Sequence, residues 1–115
     1  MNGKFVGHVA FSIVTINGED KNWYGLGPIS VLPELQKQGI GSKLITEGLS
    51  LIQKKGARGC VLEGSQVYYQ RFGFKSYPGL FYEGAPAPEY FMALPFYEEM
   101  PEGKVEFNRA FYVSI

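Results

Sequence analysis

The sequence lacks the features that mark several classes of protein. It contains one cysteine, Cys60, so an internal disulfide is excluded, as is usual in a reducing compartment. Lysine and arginine together number 11, as do aspartate and glutamate, and this balance argues against nucleic-acid binding, which calls for a basic patch. No apolar run reaches the roughly 20 residues of a membrane span, and the first residues form no signal peptide. We therefore expect a cytoplasmic protein of bacterial type that binds neither nucleic acid nor membrane.

Several ligand-binding motifs are missing as well. No metal is expected, because the only histidine, His8, and Cys60 belong to no cluster with the spacing of metal ligands. The P-loop pattern G-x-x-x-x-G-K-[ST] is absent. The dinucleotide pattern G-x-G-x-x-G, which would start at Gly39, lacks its third glycine because Leu44 stands there. A nucleotide-binding protein of another fold is therefore a poor match.

What is present is the composition of one globular domain. Apolar residues make up 45% of the 115 residues and charged residues 19%, so we expect a single domain over residues 1–115. Residues 5–16 and Trp23–Val31 are rich in β-branched and aromatic residues and predict two strands. The turn signal Asn17-Gly18 between them predicts an antiparallel hairpin. Three residues are expected to bend or bulge its second strand: Gly25, Gly27 and Pro28.

A helix and a third strand follow in the sequence. Apolar residues recur at helical spacing, namely Ile40, Leu44, Ile45, Leu49 and Ile52. Gly56 is a typical helix stop, and Gly59–Glu63 predicts a strand, so these elements form a right-handed βαβ crossover with parallel strands. A short helix is expected over residues 66–72, with Ser65 as its N-cap. Further strands are expected at residues 74–77, 89–96 and 104–112, with a loop over residues 78–88.

The segment before the first helix carries a functional signal. Gly39 and Gly41 lie where a strand leads into a helix N-terminus, whose first backbone N–H groups lack intrahelical partners. With the helix dipole these groups favour an anion, and glycines let the backbone approach a phosphate closely. Lys37 and Lys43 add positive charge nearby. A diphosphate fits this pattern, and so does a plain turn that needs glycine.

Two motifs make the pattern more specific. Gln36-x-x-Gly39-x-Gly41 matches the signature [QR]-x-x-G-x-[GA], and residues 68–74 (YYQRFGF) resemble a later Y-x-x-x-G-F element. In this order, with a strand between them, the two motifs resemble the GNAT family of N-acetyltransferases. The runs GHVAFS and WYGLGPISV, which begin at residues 7 and 23, resemble a YhbS-like bacterial subgroup of that family.

The resemblance implies an α/β (α+β) fold with a mixed, mostly antiparallel sheet, a central βαβ crossover and two splayed parallel strands. It implies that acetyl-CoA is the cosubstrate and that the acetyl group passes directly to a primary amine of a small molecule or peptide. The residues that it assigns to the cosubstrate are Ile29, Val31, Gln36, Lys37, Gln38, Gly39, Ile40, Gly41 and Ser42. The backbone around the two glycines would bind the diphosphate, the pantetheine arm would pair along residues 29–31, and the Val31 backbone would polarise the thioester carbonyl.

The resemblance also assigns a catalytic acid. Tyr69 stands four residues before Gly73, at the position of the family's catalytic tyrosine, and a phenol is protonated at neutral pH. Packing is the alternative role for Tyr69, and Tyr68 is the neighbouring candidate. The general base is open: Glu63 ends a strand in the right region but also suits a solvated carboxylate, and an early-strand histidine such as His8 more often serves structure.

The sequence departs from the family pattern at its start. A full GNAT domain begins with a strand, two helices and a second strand, whereas this sequence begins almost at the third strand, so we expect an N-terminally truncated fold. Because the missing helices usually shape the acceptor pocket, a non-catalytic acyl-CoA-binding module is the alternative function. An uncovered first strand would leave a sheet edge, and on that ground we expect a homodimer.

Overall fold

A computed structural model of the chain describes residues 7–31 and 39–114, with backbone alone for residues 7–8, 28–31 and 109–114. The strands are β1 (Gly7–Ile16), β2 (Trp23–Val31), β3 (Gly59–Glu63), β4 (Leu80–Phe81), β5 (Phe91–Pro95) and β6 (Gly103–Ser114). The helices are α1 (Ile40–Lys54) and α2 (Gln66–Tyr69). Two 3-10 turns, Gln70–Phe72 and Pro88–Tyr90, continue α2 and precede β5.

The strands form one sheet in the order β4-β6-β1-β2-β3-β5. β1 pairs antiparallel with both β2 and β6, and β3 pairs antiparallel with β5. β2 and β3 run parallel and are connected through α1, while the short β4 runs parallel to β6. This mixed, mostly antiparallel sheet with a central βαβ unit confirms the expected fold class.

β2 and β3 separate part of the way along their length. Their parallel pairing starts at Trp23 with Gly59 and ends at Gly25 with Val61, although both strands continue further. Gly27 has a φ of 129°, which residues with a side chain rarely adopt, and the register between β1 and β2 shifts at the same place. The predicted bulge is confirmed. It opens a gap between the C-terminal parts of β2 and β3, called the splay below.

Each face of the sheet has its own core. On the helix face, α1 buries an apolar stripe that includes Leu44 and Ile52 against β1 and β2. Gly48 lets α1 approach β1 closely, because a Cβ at this position would lie 2.5 Å from ring atoms of Phe11. On the opposite face, called the loop face, side chains of residues 77–85 pack over a second cluster that includes Val14 and Val61.

The second half of the chain differs from the sequence prediction in detail. Residues 74–77 form no strand, and Lys75 makes a single bridge to Ala93 instead. The expected loop over residues 78–88 contains the two-residue strand β4. β5 begins at Phe91 rather than Glu89, because a 3-10 turn with a proline at its start occupies residues 88–90.

β1 lies inside the sheet. It is paired along one side with β2 and along the other with β6, so it is not a sheet edge. The reason given above for a homodimer is therefore wrong, although the homodimer itself stays a prediction. Neither helix in the described parts of the chain has the length and apolar character to cross a membrane.

Candidate active site

The N-terminus of α1 has the geometry of an anion site. Its N-cap residue, Gly39, adopts the left-handed conformation, with φ 81° and ψ 5°, and its carbonyl accepts a 3.0 Å hydrogen bond from the Lys43 N–H. Glycine adopts this conformation at little cost. No acidic side chain stands in the first helical turn, where it would repel an anion. The first N–H groups and the helix dipole together favour a negatively charged ligand here.

Tyr68 connects α2 to the first turn of α1. Its hydroxyl lies 3.2 Å from Ser42 Oγ, within hydrogen-bond distance. A Cβ on Gly41 would lie 3.6 Å from the same hydroxyl, which is an ordinary van der Waals contact. The guanidinium carbon of Arg71 sits over the Tyr68 ring, 4.6 Å from its centroid, and this cation–π contact holds a positive charge beside the ring.

The ring of Tyr69, the last residue of α2, lies beside the end of β3. It packs against Gly64, the residue that follows β3, where a Cβ would lie 2.5 Å from a Tyr69 ring carbon. It also packs edge-on against Tyr68 and Phe74, with centroid distances of 4.9 and 6.2 Å. Desolvation by burial, and then the charge of Tyr68, raise the pKa of the Tyr69 phenol above its ordinary value. The phenol therefore keeps its proton at neutral pH and can donate it.

The structure describes most of the residues that the sequence assigns to the cosubstrate. Gly39, Ile40, Gly41 and Ser42 form the start of α1, while Gln36, Lys37 and Gln38 lie outside the described residues. Ile29 and Val31 pair with Val9 and Gly7 of β1. The opposite edge of this part of β2 faces the splay, beyond the last pair with β3. An extended ligand can pair with such an edge through backbone hydrogen bonds.

A cavity lies on the other side of the splay. It has a volume of about 390 Å³ and is lined by Ser12, Leu26, Gly27, Glu63, Tyr82 and Phe107. In the sequence, Glu63 ends a strand, Gly27 marks a bulge, and Tyr82 belongs to the aromatic-rich segment 74–96, which suits either an acceptor pocket or the core. The other lining residues come together through long-range pairing. Ser12 gives the one usable signal, since it is polar at a strand position whose neighbours on the same face, Ala10 and Val14, are buried and apolar.

Cys60 and His8 both belong to strands of the sheet. Cys60 is fully buried, and burial raises the pKa of its thiol far above the ordinary value, so the thiol is unreactive in the folded chain. The backbone of His8 pairs with Ser30 and Ser114 in the sheet. Within residues 7–31 and 39–114, no group of three or more histidine, cysteine, aspartate or glutamate side chains is placed to hold a metal.

The sequence matches known acetyltransferases. Residues 1–76 match the family model of the acetyltransferase (GNAT) domain. The uncharacterized N-acetyltransferase YhbS of Escherichia coli K12 is 38% identical over 73 residues, which are 64% of this chain and 44% of that protein.

Two solved structures share the fold. A GNAT family acetyltransferase from Brucella melitensis, in complex with acetyl-CoA, has 50% identity and a TM-score of 0.78, over 93% of this chain and 61% of that one. E. coli YhbS in complex with CoA has 29% identity and a TM-score of 0.86, over 93% of this chain and 62% of that one. The matched part is thus about half the length of the curated relative and under two thirds of each solved chain. The bulged β2, the splay and the glycine-led α1 are accordingly those of a YhbS-like protein, and the chain belongs to the GNAT acetyltransferase family.

Proposed function

We propose that this chain binds acetyl-CoA in the splay and transfers the acetyl group directly to a primary amine. The observation that carries the proposal is the left-handed conformation of Gly39, the N-cap of α1. This helix follows the splayed part of β2. The Brucella melitensis relative in complex with acetyl-CoA and YhbS in complex with CoA support it, since both share this fold.

The backbone would do most of the binding. The diphosphate of acetyl-CoA would accept hydrogen bonds from the first N–H groups of α1, at Ile40, Gly41 and Ser42, with Gln36, Lys37 and Gln38 just before them. The pantetheine arm would pair with the open edge of β2 at Ile29 to Val31. The Val31 N–H would then stabilise the charge that develops on the thioester oxygen.

Acetyl-CoA supplies an activated acetyl group, and Tyr69 supplies a proton. As the amine nitrogen bonds to the acetyl carbon, the carbon–sulfur bond breaks and the thiolate takes the phenol proton. The amine loses its own proton to a base that we leave unassigned, and the phenolate regains one from solvent. The raised pKa of Tyr69 suits this role, because it keeps the acid protonated throughout neutral pH.

The test is CoA release from acetyl-CoA with a panel of amines, for the wild type, Tyr69→Phe and Tyr68→Phe. We expect Tyr69→Phe to lower kcat by about 10² to 10⁴ with CoA binding unchanged, because it removes only the acid. Tyr68→Phe is the matched control. It loses the contact with Ser42 and keeps the acid, so it should lower kcat much less.

The same experiment separates the alternative function. If the chain binds acetyl-CoA but forms no free CoA with any amine, the result would favour a non-catalytic acyl-CoA-binding module. Unchanged turnover in Tyr69→Phe would show that another group donates the proton.

A further inference from the structure

The cavity on the loop face opens where β2 and β3 part. Leu26 and Gly27 of β2 and Glu63 of β3 lie just beyond the last parallel pair, which joins Gly25 to Val61, and all three line the cavity. α1 packs on the opposite face of the sheet. A molecule in the cavity therefore reaches the splay from the side opposite to α1.

One wall of the cavity is aromatic and held in place. The rings of Tyr82 and Phe107 meet edge to face, with centroids 4.8 Å apart. The Phe107 ring lies directly over Gly25, so a side chain on Gly25 would collide with the ring. Tyr82 also packs against Phe91, with centroids 5.7 Å apart. The wall is therefore aromatic and fixed by packing, and aromatic rings bind apolar groups and attract cations.

The charge of the cavity lining is negative. Among the residues that line it, Glu63 is the one charged side chain, and lysine and arginine are absent from the lining that the structure describes. The ion pairs found in the described ranges involve Glu19 and Glu99, so Glu63 has no cationic partner there. Ser12, at 9% exposure the one buried polar residue of the described chain, adds a hydroxyl to the lining.

We propose that this cavity is the acceptor site and takes a protonated primary amine with an apolar body and no carboxylate beside the amine. The inference rests on the proposed acetyl transfer and specifies its acceptor. Glu63 holds the ammonium group through a charge-assisted hydrogen bond. The bound ammonium first loses one proton to solvent, because only the neutral amine has the lone pair that attacks the acetyl carbon, and its second proton leaves as the amide forms. Tyr82 and Phe107 pack against the apolar body. A carboxylate on the acceptor would face Glu63 with no counter-charge in the described lining, so amino acids are disfavoured.

The probes are 2-phenylethylamine and phenylalanine, which differ by one carboxylate. Acetyl transfer is measured for the wild type, for Glu63→Gln, and for Glu47→Gln, which removes an exposed carboxylate on α1. We expect the wild type to prefer 2-phenylethylamine at least about tenfold in kcat/KM. Glu63→Gln should raise the KM for this amine about tenfold or more, because it keeps the side-chain shape and removes the charge. The KM for acetyl-CoA should stay unchanged, and Glu47→Gln should behave as the wild type.

Calorimetric binding of 2-phenylethylamine separates this inference from the proposed function. If 2-phenylethylamine binds in a way that depends on Glu63 but is not acetylated, the result would support the assignment of the cavity and contradict the proposed acetyl transfer. Acetyl transfer with the same amine KM in Glu63→Gln and the wild type would overturn the cavity assignment, as would a preference for phenylalanine. If neither binding nor transfer of 2-phenylethylamine is found, the assignment is also overturned. Phe107→Leu, which keeps an apolar side chain and removes the aromatic ring, should raise the KM for this amine several-fold.

Discussion

At the scale of single residues, two glycines two positions apart have different roles. Gly39 has a positive φ, and among the described residues nothing lies close to the position of a Cβ. A side chain there therefore meets backbone strain and no clash with that part of the chain. Gly41 is helical, and a Cβ there would make an ordinary contact with the Tyr68 hydroxyl. The first glycine is required by the backbone, whereas the second tolerates a methyl group, in agreement with the signature that allows glycine or alanine there.

We predict that Gly39→Ala lowers the free energy of unfolding by about 1 to 2 kcal/mol and weakens CoA binding, because alanine resists the left-handed conformation. Gly39→Asn should lose less stability and less CoA affinity than Gly39→Ala, since asparagine tolerates this conformation better. Gly41→Ala is the matched control and should be at least as stable as the wild type. Urea unfolding and CoA titration measure both quantities. A fully stable Gly39→Ala would show that the helix start does not need a positive φ.

At the scale of elements, the approach of α1 to β1 depends on Gly48. This residue is buried in the helix, and the Phe11 ring occupies the space that a Cβ would fill. An alanine has the higher helix propensity by about 1 kcal/mol, so propensity alone favours replacing Gly48. Overpacking against a buried ring typically costs about 1 to 3 kcal/mol, and here it should outweigh the gain in propensity.

Gly48→Ala should therefore lower the free energy of unfolding, and Phe11→Leu in the same chain should recover part of the loss by making room for the methyl group. A double-mutant cycle in urea measures this coupling, which we expect to exceed about 0.5 kcal/mol. Additive effects of the two substitutions would contradict the close packing of α1 on β1.

The elements that the sequence predicts well are those with local signals. The hairpin of β1 and β2, the periodic α1 and the bulge near Gly27 each follow from neighbouring residues. The αL glycine at the start of α1 is likewise a local feature. These elements give the helix-face part of the site.

The loop-face cavity has little local signal beyond the polar Ser12. It joins Ser12 to Phe107 and Tyr82 through the pairing of β1 with β6 and the packing of residues 77–85. Contacts between residues this far apart in sequence cannot be predicted from local propensity or from the spacing of residues. The same applies to the pairing of β6 with β1, which the expectation of an uncovered first strand overlooked.

At the scale of the whole molecule, Cys60 reports on global unfolding. It is fully buried in β3, between β2 and β5, and its Sγ lies 3.7 Å from the Val61 carbonyl oxygen. Burial raises the pKa of the thiol, so little thiolate is present in the folded state at neutral pH. A thiol reagent can reach it only when the sheet opens.

We predict that Ellman's reagent labels the folded chain slowly and the urea-unfolded chain at once, with one thiol per chain. A ligand of the folded state stabilises it by about 2.7 kcal/mol at a hundred times its Kd. If labelling requires unfolding, desulfo-CoA at that level should slow labelling about 100-fold, and this analogue has no thiol that would consume the reagent. Fast labelling in native buffer would show that β3 is accessible in the folded chain.

The central claim is that the start of α1 binds the diphosphate of CoA. Isothermal titration of CoA into the purified chain tests it most directly, with two controls: pantetheine, which lacks the diphosphate together with the phosphoadenosine, and 3′-phosphoadenosine, which lacks the diphosphate and the pantetheine arm and should also bind weakly. We predict saturable 1:1 binding of CoA and at least about tenfold weaker binding of pantetheine, because the helix N-terminus has no anion to hold in the second case. The absence of any heat of binding with millimolar CoA would contradict the claim, and so would equal affinities for CoA and pantetheine.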